Sequence, residues 1–189
     1  VSSAASRSAF AISASGGVEG AGGLVGANDG AFIQNSYNAG SVTALAATAY
    51  VGGIAGINSG PSIAGCVENC YNVGPVIATS SSLRGSIEGI GVNGQMINCY
   101  YDKQMSARGG VATAADTPET ATGLLTSGMT VATPFAGWSG GENGAWVFEA
   151  GRYPRLSGYV DGTTDYNMEA SDAAVVSAAP VFLCDDNAT

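Results

Sequence analysis

Apolar residues along the chain come in short runs set off by glycine and asparagine, and one order of runs is written more than once. Gly22-Gly23-Leu24-Val25-Gly26-Ala27-Asn28-Asp29-Gly30 is echoed by Gly52-Gly53-Ile54-Ala55-Gly56-Ile57-Asn58-Ser59-Gly60, and more faintly by Glu88-Gly89-Ile90-Gly91-Val92-Asn93-Gly94. After each echo comes a second alternating piece, residues 31–38, 66–72 and 95–101, and in the first two units a third piece, 40–43 and 74–77. Period-two alternation with β-branched residues predicts strands, three per unit, and the glycine content argues further against helix.

Spacing identifies the kind of repeat. Tyr37 to Gly56 spans 19 residues and Tyr71 to Gly91 spans 20, whereas the step from glycine to tyrosine inside a unit is 11 (26 to 37), 15 (56 to 71) and 9 (91 to 100). Length therefore varies at one corner only. Stacked strands must keep register while a corner loop swells freely, which is solenoid behaviour. A β-sandwich would show hairpin turns without repeated sequence. The expectation is an all-β chain forming a right-handed parallel β-helix (β-solenoid) of about three rungs, its hand taken from the usual sense of parallel crossovers.

The column Asn35, Asn69, Asn98 supplies a further constraint. If Ile33, Val67 and Met96 point inward, strict alternation would turn Val42 and Val76 outward. A left-handed bend at asparagine repairs the parity and turns Ser36, Cys70 and Cys99 inward. Stacked asparagine side chains would also bond one another from rung to rung, making Asn35, Asn69 and Asn98 a structural ladder, with contact to a ligand as the alternative. Tyr37, Tyr71 and Tyr100 would stack as packing or as an exposed platform for sugar rings. Cys70 and Cys99 would lie about 4.8 Å apart, so they are a candidate disulfide, the alternative being two small apolar core residues.

Outside the repeats, residues 1–21 read as a capping strand or partial rung and 22–101 as the repeat array. Residues 102–158 read as an aromatic C-terminal cap built on Phe135, Trp138, Trp146, Phe148, Tyr153 and Leu156. An open solenoid end needs such side chains to cover its core and block edge pairing. Residues 159–189 read as a linker and the opening of a following domain.

Composition narrows the function classes. The formal net charge is −9, and Arg7, Arg84, Lys103, Arg108, Arg152 and Arg155 are scattered, so no basic stripe exists for a phosphate backbone and nucleic acid is not expected. No apolar run is long enough to span a bilayer, and no signal-like region opens at Val1, so a mature product or a fragment of a longer chain is expected. With zero His, a zinc site would need Cys66, Cys70, Cys99 and Cys184 together at unsuitable spacing. Calcium-loop spacing is lacking around Asp161, Asp165 and Asp185, so neither metal nor cofactor is expected. Catalysis is not expected either: no Ser or Cys has a His to activate it, and Asp102, Lys103 and Arg108, the one acid and base cluster, read as a solvated loop.

The repeat resembles the GLUG-motif repeat, whose pattern is Gly-Gly-Leu or Ile-Val or Ala-Gly-x-Asn-x-Gly followed by Asn-Cys-Tyr-Asn-x-Gly-x-Val. Residues 22–42 and 52–76 match closely, and the third copy has Tyr101 where Asn would stand. Residues 98–158 are similar to the segment that closes such arrays. The resemblance implies a non-catalytic adhesion or spacer module, extracellular or on a bacterial cell surface, monomeric within a longer chain. Its partner would be a host glycan or an extracellular-matrix protein. The rival reading is a fragment of a carbohydrate-active β-helix enzyme or a glycan-binding accessory domain. Candidate ligand-binding residues are Asp29, Gln34, Pro61, Ser62, Asn93 and Gln95 at the variable corner, with Trp138 and Trp146 as an alternative aromatic sugar platform.

Overall fold

The computed structural model describes residues 5–6, 10–12, 19–44, 49–60, 66–78, 82–106, 109–112, 121–140 and 144–157. Within them the repeats stand in five parallel columns. The first holds Val25–Asp29, Ala55–Ser59 and Glu88–Val92. The second holds Phe32–Gln34, Cys66–Glu68 and Gln95–Ile97. The third stacks Ala5–Ser6, Tyr37–Asn38, Tyr71–Asn72, Tyr100–Asp102 and Thr122–Leu124. The fourth holds Phe10–Ile12, Val42–Ala44 and Val76–Ala78, and the fifth Glu19–Gly22, Ala49–Gly52 and Leu83–Gly85.

As far as Tyr100–Asp102 the chain visits the columns in one fixed order, so a unit has five strands where alternation suggested three. The piece 31–38 is two strands divided at Asn35, and the Ala- and Gly-rich fifth strand carries too few large side chains to show a period. Asn35, Asn69 and Asn98 all have positive φ, between 48° and 52°. That bend places Ser36, Cys70 and Cys99 in the interior together with Val67 and Met96, while Val42 and Val76 are buried beyond it.

The third copy sits two residues away from where its sequence places it. Gly85 pairs with Gly52, Glu88 with Ala55 and Ile90 with Ile57, so Gly89 faces Gly56 and Gly91 faces Asn58. The third unit therefore has the same 11-residue step from glycine to tyrosine, 89 to 100, as the first, and the extra length falls in the second unit alone. Steric demand explains the true match. A Cβ on Gly89 would press on the backbone of Val51 and Gly56, whereas one on Gly91 would meet only the Glu88 carboxylate, at 3.2 Å. Gly89→Ala should accordingly lose about 1–3 kcal/mol in urea unfolding, and Gly91→Ala about 0.5 kcal/mol or less. Equal losses would contradict this register.

Rung-to-rung side-chain bonds do run through asparagine, but not through the expected column. Asn38 Nδ2 donates to Asn72 Oδ1 at 2.9 Å, and Asn28 Nδ2 donates to Asn58 Oδ1 at 2.8 Å. Each amide is buried, and Asn28, Asn38 and Asn72 also accept from a backbone N–H two or three residues on. One side chain thus satisfies both its own turn and its neighbour, as burial of amides requires. Asn35, Asn69 and Asn98 spend their conformational tolerance on the bend instead. Asn35 Oδ1 accepts from the Trp146 indole, and Asn69 Oδ1 has no partner.

Two kinds of core result. Ile54, Val67, Cys70, Ile87, Met96, Cys99 and Tyr101 form one cluster between the columns, beside a smaller one of Ala21, Val42, Val51 and Val76. The other is lateral: Tyr37, Tyr71 and Val73 pack against Met105, Met129, Phe135, Trp138, Trp146, Tyr153 and Leu156. The expected cap therefore lies along the tyrosine column as well as following it. Its elements are short: the helices Lys103–Ser106 and Thr126–Met129, a 3-10 turn at Thr133–Phe135, and the antiparallel pair Trp146–Val147 with Arg155–Leu156. The residues assigned to a linker, 159–189, lie outside the described residues, as does the corner segment 61–65.

Candidate functional site

The second column turns Ile33, Val67 and Met96 toward the core, so its flanking positions look outward, although Cys66 among them is itself buried. Register sets Phe32, Cys66 and Gln95 in one row, and Gln34, Glu68 and Ile97 in the next. Phe32 is 62% exposed and Ile97 38%, and nearby in the chain Val92 is 46% exposed. Gln34 Nε2 donates to Glu68 Oε2 at 2.7 Å, a planar amide–carboxylate pair standing on adjacent strands. At the border, Asp29 Oδ1 accepts from Ser59 Oγ at 3.2 Å, and Ser59 bridges to Asn93, which holds a φ of 59°.

Four of the candidate residues are thereby brought to one side of the molecule: Asp29, Asn93 and Gln95 are exposed there, and Gln34 is half-buried. Pro61 and Ser62 lie outside the described residues. Phe32, Glu68 and Ile97 were not singled out from the sequence. Their signal was present, since residues adjacent to an inward Ile33, Val67 or Met96 must face outward.

Trp138 and Trp146 are no platform. Both are buried, and Trp138 Nε1 donates to the Asn98 carbonyl at 2.9 Å while Trp146 Nε1 donates to Asn35 Oδ1 at 3.1 Å. Large rings with one polar edge are held wherever that edge finds an acceptor, and here the bend asparagines provide it. Tyr37 and Tyr71 stack with ring centroids 5.0 Å apart and planes 4° off parallel, beneath these indoles, and Tyr100 meets Phe135 edge-on at 4.8 Å. Tyr71 Oη donates to the Pro154 carbonyl, and burial raises its pKa.

The candidate disulfide is absent: Cys70 and Cys99 are free, buried thiols. Each sulfur donates to backbone carbonyls on its own and the preceding unit, Cys70 to Glu68 at 3.2 Å and Ile33 at 3.6 Å, Cys99 to Val67 at 3.4 Å and Ile97 at 3.5 Å. Burial, and then the neighbouring Cys70, raise the Cys99 pKa. Cys66 is pushed up to about 11, first by burial and then by the Glu68 carboxylate, so it stays protonated at neutral pH.

Asp102 is fully buried, not part of a solvated loop. Its Oδ2 accepts from Thr126 Oγ1 at 2.6 Å and Tyr153 Oη at 2.7 Å, and its Oδ1 from the N–H groups of Gln104 and Met105. It ties the last repeat strand to three parts of the C-terminal segment. Lys103 points to solvent, and Arg108 lies outside the described residues.

A second buried carboxyl, Glu88, went unmarked in the sequence. Gly91 occupies the position of Asn28 and Asn58, and the Glu88 side chain fills the missing ladder rung: Asn58 Nδ2 donates to Glu88 Oε1 at 2.7 Å. Burial pushes this carboxyl up to about 8 despite the hydrogen bond from Asn58, which works the other way. Only the corrected register reveals the substitution.

Among the described residues no group of three or more His, Cys, Asp or Glu is placed to hold a metal ion, and no helix is long and apolar enough to cross a membrane. The arrangement at the second column is suited to surface contact: an exposed ring, aliphatic side chains and planar hydrogen-bonding groups on a backbone held by parallel ladders. No family model matches the chain, and neither a curated protein nor a solved structure is found to match it.

Proposed function

We propose that the five columns are the faces of a right-handed parallel β-helix of about three rungs, and that the chain is a non-catalytic extracellular adhesion or spacer module of a larger bacterial cell-surface protein. The resemblance to the GLUG-motif repeat supports the cellular setting. The fixed order of column visits supports the solenoid, because each unit then stacks on its predecessor through backbone ladders and needs no other partner. The observation that carries the adhesive reading is the outer face of the second column. There register gathers Gln34 and Gln95 with exposed Phe32 and Ile97 into one patch from three units of the chain.

An array of host glycans and extracellular-matrix proteins, probed with this chain and with Phe32→Ala, tests the reading. Selective binding that falls in the variant is expected. A blank array for the unaltered chain would leave the spacer role and remove the adhesive one.

A further inference from the structure

The charge balance of this face indicates the chemistry of its partner. We propose that the face formed by Phe32–Gln34, Cys66–Glu68 and Gln95–Ile97 binds a basic, extended polypeptide segment, with an arginine or lysine side chain lying over the Phe32 ring and its cationic head at Glu68. This deepens the adhesive reading and rests on it.

The geometry suits such a side chain. Phe32 stands beside Cys66, and Glu68 beside Gln34, so ring and carboxylate are separated by one strand spacing across and two residues along, roughly 8 Å between Cα atoms. A long basic side chain lays its aliphatic stem on apolar surface while its head reaches polar groups, and a cation over an aromatic face gains from the ring quadrupole. Ile97, beside Glu68 in the same row, extends the apolar surface. Gln34 steadies the carboxylate from the other side without neutralising it.

Among the described residues neither acid here is paired with a cation. Glu68 is bonded to a neutral amide and Asp29 to a neutral hydroxyl. Among the described residues the ion pairs join Glu149 to Arg152 and Arg155 instead, and Arg84 bonds the Ala78 carbonyl. With a formal net charge of −9, the chain repels phosphate, sulfate and uronate groups, and attracts a basic segment. A neutral sugar would use the ring but leave both carboxylates uncompensated, so the basic segment is the better match.

The test titrates the folded chain at low salt with three labelled probes: an alternating arginine–serine hexapeptide, its glutamate–serine counterpart and a neutral hexasaccharide. The arginine peptide should bind, and Phe32→Ala and Glu68→Gln should each weaken it about two- to fivefold, the range for exposed cation–π contacts and ion pairs. Glu149→Gln, which changes net charge equally on the C-terminal segment, should leave it unaltered. Equal loss in Glu68→Gln and Glu149→Gln with none in Phe32→Ala would overturn the site in favour of bulk attraction. A neutral hexasaccharide that binds through Phe32 while the arginine peptide does not would overturn the basic partner yet preserve adhesion. Failure of all three probes would overturn this inference, and only a blank array as well would remove the adhesive reading.

Discussion

Glu88→Gln should stabilise the protein at pH 8–9 and flatten its stability profile below that. In the folded chain the carboxyl keeps its proton until about pH 8, against an ordinary value of 4.5. Between those values the unfolded chain binds fewer protons than the folded one, so stability falls as pH rises and levels off above about 8. At about 1.4 kcal/mol per pKa unit the whole effect is roughly 3–5 kcal/mol. Glutamine keeps the acceptor for Asn58 and never ionises, so the variant should gain most where the parent has lost most. Urea unfolding of both proteins from pH 5 to 9 measures this. Two parallel profiles would mean that the carboxyl is solvated and that the ladder does not end on it. Glu88→Ala should also lose the pH dependence but lie below Glu88→Gln at every pH, because it strands a buried Asn58 donor.

Trp146→Ala should cost about 3–5 kcal/mol, the range for truncating a large buried ring. Trp146 is wholly buried, with ring centroids 4.6 Å from Trp138, 5.6 Å from Tyr71 and 6.3 Å from Tyr37. It joins the C-terminal segment to two successive rungs of the tyrosine column. The columns keep their own backbone ladders and interior clusters, so the lateral core should loosen first. Near-UV circular dichroism and proteolysis within 121–157 should then respond at lower urea than the far-UV signal does. Trp146→Phe retains most of the buried area but removes the hydrogen bond to Asn35, and should lose about 1 kcal/mol beyond the change in packing. A single transition at the parental midpoint in Trp146→Ala would show that the segment adds nothing to the stability of the columns.

These variants probe the parts of the fold that local sequence rules leave open. The bend at Asn35, Asn69 and Asn98 could be read from parity, because the turn of an extended chain is a local property and asparagine tolerates the left-handed region. The ladder could not be placed so easily. Asn28, Asn38, Asn58 and Asn72 are as visible in the chain as the bend asparagines, but which amides face inward depends on strand boundaries that short pieces blur. Glu88 illustrates the same difficulty. With glycines at 85, 89, 91 and 94, several alignments of the third unit look alike, and the close backbone approaches at Gly85 and Gly89 select one.

By itself the sequence determined a repeating chain of short strands, a bend just before each tyrosine, and an aromatic segment after the last unit. All three follow from rules that act over a few residues: period-two alternation, left-handed tolerance and the grouping of large rings. The tertiary structure alone decided which rows stand side by side, and hence that Phe32, Glu68 and Ile97 share a face, that Glu88 completes an asparagine ladder, and that the indoles are buried on the tyrosine column. Those outcomes depend on register between units about thirty residues apart, where steric fit at particular glycines and the need to satisfy buried amides outweigh any local pattern.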